Sequence, residues 1–241
     1  MEKVAIVTGS SSGIGYETTL ALARDGFYTF ATVRSAKKAQ KLLEVTKKEK
    51  LNIEIIELDM DDEKSIKSAF EKIFSKKQRI DVLVNNAGWA LFGSLEDVLI
   101  KDFRLQFETN FFGIIGIIQK VAPIMRKQGS GIIVNISSVA GRIGFPGSSA
   151  YISSKFALEG LSESLRYELG QFGVKVIIIE PGVVKTNLFS SMKIAEPKSD
   201  SPYKEITEKV VMGVKMMAEL GTPPSEVANT ILNAIKETNP R

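Results

Sequence analysis

The chain has 241 residues, 44% of them hydrophobic, with 32 basic and 28 acidic side chains and a formal net charge of +4. It contains no Cys and no His, which excludes disulfides, thiolate nucleophiles, Cys-ligated zinc and Ser-His catalysis. The length suits one hydrophobic core, no apolar run is long enough to cross a bilayer, and the basic residues alternate with acidic ones. A single cytoplasmic domain with no nucleic-acid surface is therefore expected.

Val4 to Val7 is a short apolar run with β-branched residues, the pattern of a strand buried on both faces. It leads at once into Thr8-Gly9-Ser10-Ser11-Ser12-Gly13-Ile14-Gly15 and then into helical periodicity through Leu20 and Ala23. In such a strand, turn and helix, Gly9 permits the tight turn, Gly13 lets backbone approach a pyrophosphate, and Gly15 lets the helix pack on the strand. The same stretch reads G-x-S-x-G, like a hydrolase nucleophile elbow, but without His that chemistry cannot be assembled. A second strand, Phe27 to Val33, ends at Arg34. In dinucleotide folds an acid at this point binds the ribose 2′-OH and an Arg accepts a 2′-phosphate, so NADP is expected over NAD. A third strand, Asn52 to Leu58, leads to Asp59, which can bond an adenine amine or open the next helix.

Asp81 to Val84 is a fourth strand running into Asn85-Asn86-Ala87-Gly88, small residues that let backbone come close to a flat ligand. Helices are expected at about Leu95 to Thr109 and Asn110 to Gln128, with Asn110 either a cap at their junction or the holder of a buried water. The run Gly131 to Ile136 is a fifth strand ending at Ser137-Ser138. Tyr151 and Lys155 follow, four positions apart at the start of a helix that continues to Gly170, and so share one face. With 5 Tyr in the chain, such a pair arises by chance about half the time. A fixed cation beside a phenol favours the phenolate, so Lys155 is expected to lower the Tyr151 pKa and make it a proton donor and acceptor. A sixth strand, Val174 to Ile179, ends in Pro181-Gly182-Val183-Val184-Lys185-Thr186. From Asn187 to Gly221 the strand and helix rhythm is lost and Met192, Met212, Met216 and Met217 accumulate, the composition of an adaptable lid or of core filling. Pro224 opens a last helix to about Lys236.

Taken in order, T-G-S-S-S-G-I-G at Thr8, N-N-A-G at Asn85, Asn110, Ser138, Y-x-x-x-K at Tyr151 and P-G-x-x-x-T at Pro181 resemble the short-chain dehydrogenase/reductase family over essentially the whole chain. Some segments look most like its steroid and retinol dehydrogenase branch. The resemblance implies an α/β domain with a Rossmann-like, doubly wound parallel sheet of order 3-2-1-4-5-6. It also implies hydride transfer between NADP(H) and a carbonyl or alcohol carbon. Tyr151 would be the general acid or base, Lys155 would hold the nicotinamide ribose, Ser138 would bond the substrate oxygen, and Asn110 would hold a water linking Lys155 to solvent. Ser11, Ser12, Ile14, Met60, Asn86, Ala87, Gly88, Pro181, Gly182, Val184 and Thr186 would join the glycines, Arg34 and Asp59 around the cofactor. Val184 and Thr186 would meet the carboxamide, and Ser12 and Arg34 the 2′-phosphate.

An apolar substrate pocket is expected near Trp89, Phe92, Ile143, Phe145 and Phe189, beside Ser138 and Tyr151, with residues 187–221 as its lid. A homodimer or homotetramer is expected from the apolar Phe111 to Ile118 stretch and the Tyr151 helix. The pattern departs from the family after the last helix, where a seventh strand is commonly found and this sequence stops at Asn239-Pro240-Arg241. A 3-oxoacyl-carrier-protein reductase and a non-catalytic, NADP-binding redox sensor are the rival readings; the intact Ser138, Tyr151 and Lys155 set argues against the second.

Overall fold

The computed structural model describes residues 2–190 and 192–238, the side chains of 189 and 190 excepted. Asn239-Pro240-Arg241, where the sequence departs from the family pattern, therefore lies outside the described residues. Six parallel strands build the main sheet: β1 (Val4–Val7), β2 (Tyr28–Val33), β3 (Ile53–Glu57), β4 (Val82–Asn85), β6 (Gly131–Ile136) and β7 (Val174–Ile179). A two-residue β5 (Leu91–Phe92) pairs instead with β8 (Lys193–Ile194). The main order is β3-β2-β1-β4-β6-β7, which without the short β5 is the expected 3-2-1-4-5-6.

The period of two in a strand explains why these runs are apolar throughout. From β1, Val4 and Ile6 enter one core with Phe30, Leu83, Ile114, Ile117 and Leu158, while Ala5 and Val7 enter another with Val82, Val84, Val134, Val227 and Ile231. Helices α3 (Glu63–Lys76), α5 (Gly113–Gln128) and α6 (Ser149–Gly170) pack on the first face, and α1 (Gly13–Arg24) and α9 (Pro224–Lys236) on the second. The exposed α2 (Gln40–Glu49) adds Leu42 to a smaller cluster with Tyr16, Leu20 and Ala31. After β1 the chain winds to one side through β2 and β3, then crosses back to place β4 on the other side of β1. That reversal opens a crevice at the carboxyl ends of β1 and β4.

Two expectations need correction. No helix spans Leu95 to Leu99: Ser94 and Asp97 close a turn there, and α4 starts at Ile100 and ends at Phe107. It then widens into a π turn, Glu108–Phe112, that runs directly into α5, so Asn110 lies inside a continuous helical stretch and is no cap. Between Asn187 and Gly221 the chain is far from irregular. Besides the short α7 (Asn187–Ser190), it forms the sixteen-residue α8 (Lys204–Glu219). Val210, Val211 and Val214 of α8 pack with Ala90, Phe92, Ala140 and Tyr151. Met212, Met216 and Met217 point outward, more than half exposed, so they do not fill the core. Val211 and Thr207 are buried and Val210 and Val214 half-buried beside them, and the methionines around this stripe hid its helical period. Among the described residues no helix is long and apolar enough to cross a membrane.

Candidate active site

A cleft of about 840 Å³ opens at the carboxyl ends of the strands, within the size range of ligand sites. Its floor is the glycine turn between β1 and α1. Gly9 and Gly13 have φ of +70° and +59°, conformations that favour glycine. A Cβ on Gly15 would collide with the Gly9 carbonyl oxygen and the Asn86 amide, so this residue packs the turn together and does not itself line the cleft. Ser12 caps α1 without a side-chain bond to its first turn, leaving unpaired N–H groups of the helix start facing the space where an anion is favoured. Thr8 ties this turn to the next strand end: its hydroxyl accepts from Asn86 N at 2.9 Å and Ala87 N at 3.0 Å, and the Asn86 amide donates to Thr8 O at 2.8 Å.

Every other residue expected around the cofactor lines this cleft: Ser11, Ile14, Arg34, Asp59, Met60, Ala87, Gly88, Pro181, Gly182, Val184 and Thr186 among them. Arg34 is exposed at the end of β2, and Lys38, one turn further in the 3-10 segment Ala36–Ala39, lines the same end of the cleft. Sequence reading missed Lys38; its signal was a second cation four positions after Arg34. Asp59 accepts from Asp61 N at 3.2 Å, while Asp62 caps α3 by accepting from Lys64 N at 2.9 Å. Asp62, and not Asp59, therefore opens α3, while Asp59 lines the cleft.

Ser138, Tyr151, Lys155 and Asn110 all line the same cleft. Ser138 stands at the start of a 3-10 turn, its hydroxyl accepting from Ala140 N at 3.1 Å. Tyr151 and Lys155 are each 7% exposed. Lys155 Nζ donates to the Ile136 carbonyl at the end of β6, 2.8 Å away, and lies 5.8 Å from the Tyr151 ring centroid. The expected pKa direction for Tyr151 is corrected here. Burial pushes the phenol above its ordinary 10.0, and a hydrogen bond with Ser138 pulls it only partly back. Desolvation by the same site lowers Lys155 from 10.5 to about 8, the carboxylate of Glu159 acting against that fall. The ammonium is turned to a carbonyl, so in this arrangement burial outweighs its effect on the phenol.

Asn110 is fully buried. Its amide donates to Trp89 O at 3.1 Å and Ser154 Oγ at 3.3 Å, and its Oδ1 accepts from Trp89 N at 3.2 Å. Ser154 in turn donates to Tyr151 O at 2.7 Å. The π turn, a feature that recurs at functional sites, aims Asn110 at the backbone after β4. Gln106, one turn earlier, holds the same segment through Leu91 N and Trp89 O, both at 2.8 Å. Gln106 and Ser154 went unread; the signal of Ser154 was a polar side chain on the otherwise buried face of α6, whereas Gln106 is the one buried residue of α4 and left no pattern.

Of the expected substrate pocket, Trp89 lines the cleft, its indole N–H donating to Thr109 Oγ1 at 2.9 Å. Phe92 does not line it: it is 1% exposed, in the cluster that supports Tyr151 from behind. Ile143 and Phe145 are on the surface at 56% and 37% exposure, outside the cleft. The Phe189 side chain lies outside the described residues. Leu105 and Leu188 supply apolar lining that was not expected. A dinucleotide fits these residues on three counts: glycines where a Cβ would intrude, a helix start facing the cleft, and cations at its far end.

The family model described as short chain dehydrogenase matches residues 3–197. An uncharacterized oxidoreductase, YusZ, of Bacillus subtilis is 46% identical over 235 residues, covering 95% of this chain and 83% of that protein. A solved short-chain dehydrogenase of Streptomyces avermitilis superposes with a TM-score of 0.90 at 34% identity, covering 100% of this chain and 86% of that one. The structure of ElxO with NADP bound gives a TM-score of 0.82 at 30% identity, covering 100% and 94%.

Proposed function

The chain belongs to the short-chain dehydrogenase/reductase family of oxidoreductases, and from that premise we infer that it reduces the carbonyl group of an apolar small molecule with NADPH. The observation that carries this reading is the convergence of Ser138, Tyr151 and Lys155 on the cleft that the glycine turn also lines. Bound NADPH supplies the hydride; the chain's own residues handle the proton and the developing charge. Tyr151, kept protonated by burial, donates its phenolic proton to the carbonyl oxygen. Ser138 hydrogen-bonds the same oxygen, so charge developing there meets two donors. Lys155 holds the nicotinamide ribose, and Asn110 keeps the Trp89 backbone and Ser154 in register beside it.

The preference for NADP rests on Arg34 and Lys38 at one end of the cleft and on the NADP-bound ElxO relative. An apolar substrate suits Trp89, Leu105 and Leu188, with residues 187–221 as the covering segment. The test is a panel of ketones, aldehydes and alcohols assayed with NADPH and NADH against the native chain and Tyr151→Phe. Native turnover with NADPH is expected, with a loss of at least about 100-fold in the variant and little change in cofactor binding by nicotinamide fluorescence. A variant that retains most of its rate removes Tyr151 from the chemistry.

A further inference from the structure

Beneath the residues of the proposed reaction, α6 carries one more buried ionisable group. Tyr151, Lys155 and Glu159 follow at intervals of four and so form a single stripe along the helix. Glu159 is 5% exposed. Among the described residues neither carboxylate oxygen makes a hydrogen bond of good geometry, although the Ser137 hydroxyl lies close enough to favour the charge, and a buried carboxylate is costly unless something close holds it. Its ionic partner is Arg142 Nη2 at 3.4 Å. Gly141, beside that arginine, has no room for a side chain: a Cβ there would come within 2.7 Å of Ser137 Oγ and 2.9 Å of Glu159 Oε1. The 3-10 turn after Ser138 is thus closed down onto the carboxylate.

The other charged groups around Glu159 are accounted for element by element. From α6 itself come Lys155 and Glu163, the latter 3.7 Å from Arg142 Nη1; from the turn after β6, Arg142; from the end of β7, Glu180, whose Oε1 accepts from Arg142 Nε at 2.7 Å. Arg142 therefore serves three carboxylates, and two of them are toward solvent. Burial pushes the Glu159 carboxyl up, the Ser137 hydroxyl opposes that, Glu180 adds to it, and Arg142 opposes it as well. Glu159 is the charge that acts on Lys155.

We propose that Glu159 is a positioning residue for Lys155: its carboxylate, held by Arg142 one helical turn below the ammonium, keeps Lys155 charged in a site that otherwise strips it of water. The consequence for turnover rests on the hydride-transfer reading above. The placement of charge does not, so the two are tested separately.

The first measurement is the titration of Lys155 by NMR of lysine labelled at 13Cε, with the resonance assigned by its loss in Lys155→Met. In Glu159→Gln the midpoint is expected to fall by about one pH unit, a tenfold loss of proton affinity. Glu159→Asp, which keeps the charge, is expected to return most of that and to supply the comparison should the Gln variant fold poorly. A midpoint unmoved in Glu159→Gln, or displaced as far in Glu159→Asp as in Glu159→Gln, overturns the proposal. The second measurement is the pH dependence of NADPH-driven reduction, whose alkaline limb is expected to move to lower pH by the same interval in Glu159→Gln. A shifted lysine midpoint in a chain that reduces no carbonyl substrate sinks the functional reading and leaves Glu159's action on Lys155 supported.

Discussion

At Tyr151 and Lys155 the same burial acts in opposite senses on two acids, raising the phenol and lowering the ammonium to about 8. The alkaline limb of carbonyl reduction is therefore expected to follow Lys155. The rate should hold steady below pH 7 and fall as pH rises through about 8, because the cation is lost there while the phenol keeps its proton. A limb appearing only above pH 10 would assign the titration to Tyr151 instead. The stability sign follows from the same group. A lysine depressed from 10.5 to about 8 binds fewer protons folded than unfolded between those values, so it costs most below 8 and stability rises with pH across the window. Lys155→Met is accordingly expected to stabilise the fold at pH 7 by about 2 kcal/mol once the lost bond to Ile136 is subtracted, while abolishing turnover. Denaturant titrations at pH 7 and pH 10 check this, since the gain should shrink at the higher pH. At the other end of the cleft, Arg34→Asp is expected to turn cofactor preference from NADP towards NAD by at least about tenfold in kcat/KM. An unchanged ratio would pass the phosphate to Lys38.

Among elements, the π turn Glu108–Phe112 shows why a residue's identity can be read before its geometry. Asn110 was legible as a polar residue in need of partners from its place beside Phe111 and Phe112, but the extra residue that aims it at Trp89 leaves no mark in hydrophobic period. Asn110→Ala leaves the Trp89 N–H without its partner, while Gln106 still holds the Trp89 carbonyl, and is expected to cost about 1 to 3 kcal/mol, measured by chemical denaturation, along with most of the activity. The segment leading into α8 is fastened through Asp97, which accepts from Ser94 Oγ at 2.6 Å, Ser201 Oγ at 2.7 Å and Lys198 N at 3.1 Å. Those bonds hold its carboxyl below the ordinary range, so their contribution is present above pH 4 and lost as pH falls through the lowered value. Asp97→Ala is expected to speed hydrogen exchange across residues 198–219 while leaving β1 and β4 protected. Equal exchange in both would show that α8 is held by its valines alone.

For the molecule as a whole, Phe112 at 51%, Phe156 at 46% and Tyr167 at 85% exposure stand on the outer side of the π turn and α6, the surfaces from which pairing was expected. Phe112→Glu combined with Phe156→Glu is expected to yield monomers by light scattering where the native chain gives a dimer or larger. A native monomer would end that expectation. The six strands were legible because buried parallel strands are apolar at every position and each is separated from the next by a helix-length segment; their order was implied by the family resemblance, and the division of the expected single core between the two faces of the sheet came only with the fold.

What the amino-acid order determined by itself was local: strands whose two faces are both covered, glycines at a turn that tolerates no Cβ, and a phenol and an ammonium one helical turn apart. The tertiary structure decided which local features meet. Phe92 went behind Tyr151, Ile143 and Phe145 went to the surface, and Glu159 came to lie beneath Lys155 with an arginine from a distant turn. It also decided the sign of the Tyr151 shift, because spacing along a helix states which groups are neighbours but not how much water is removed from around them.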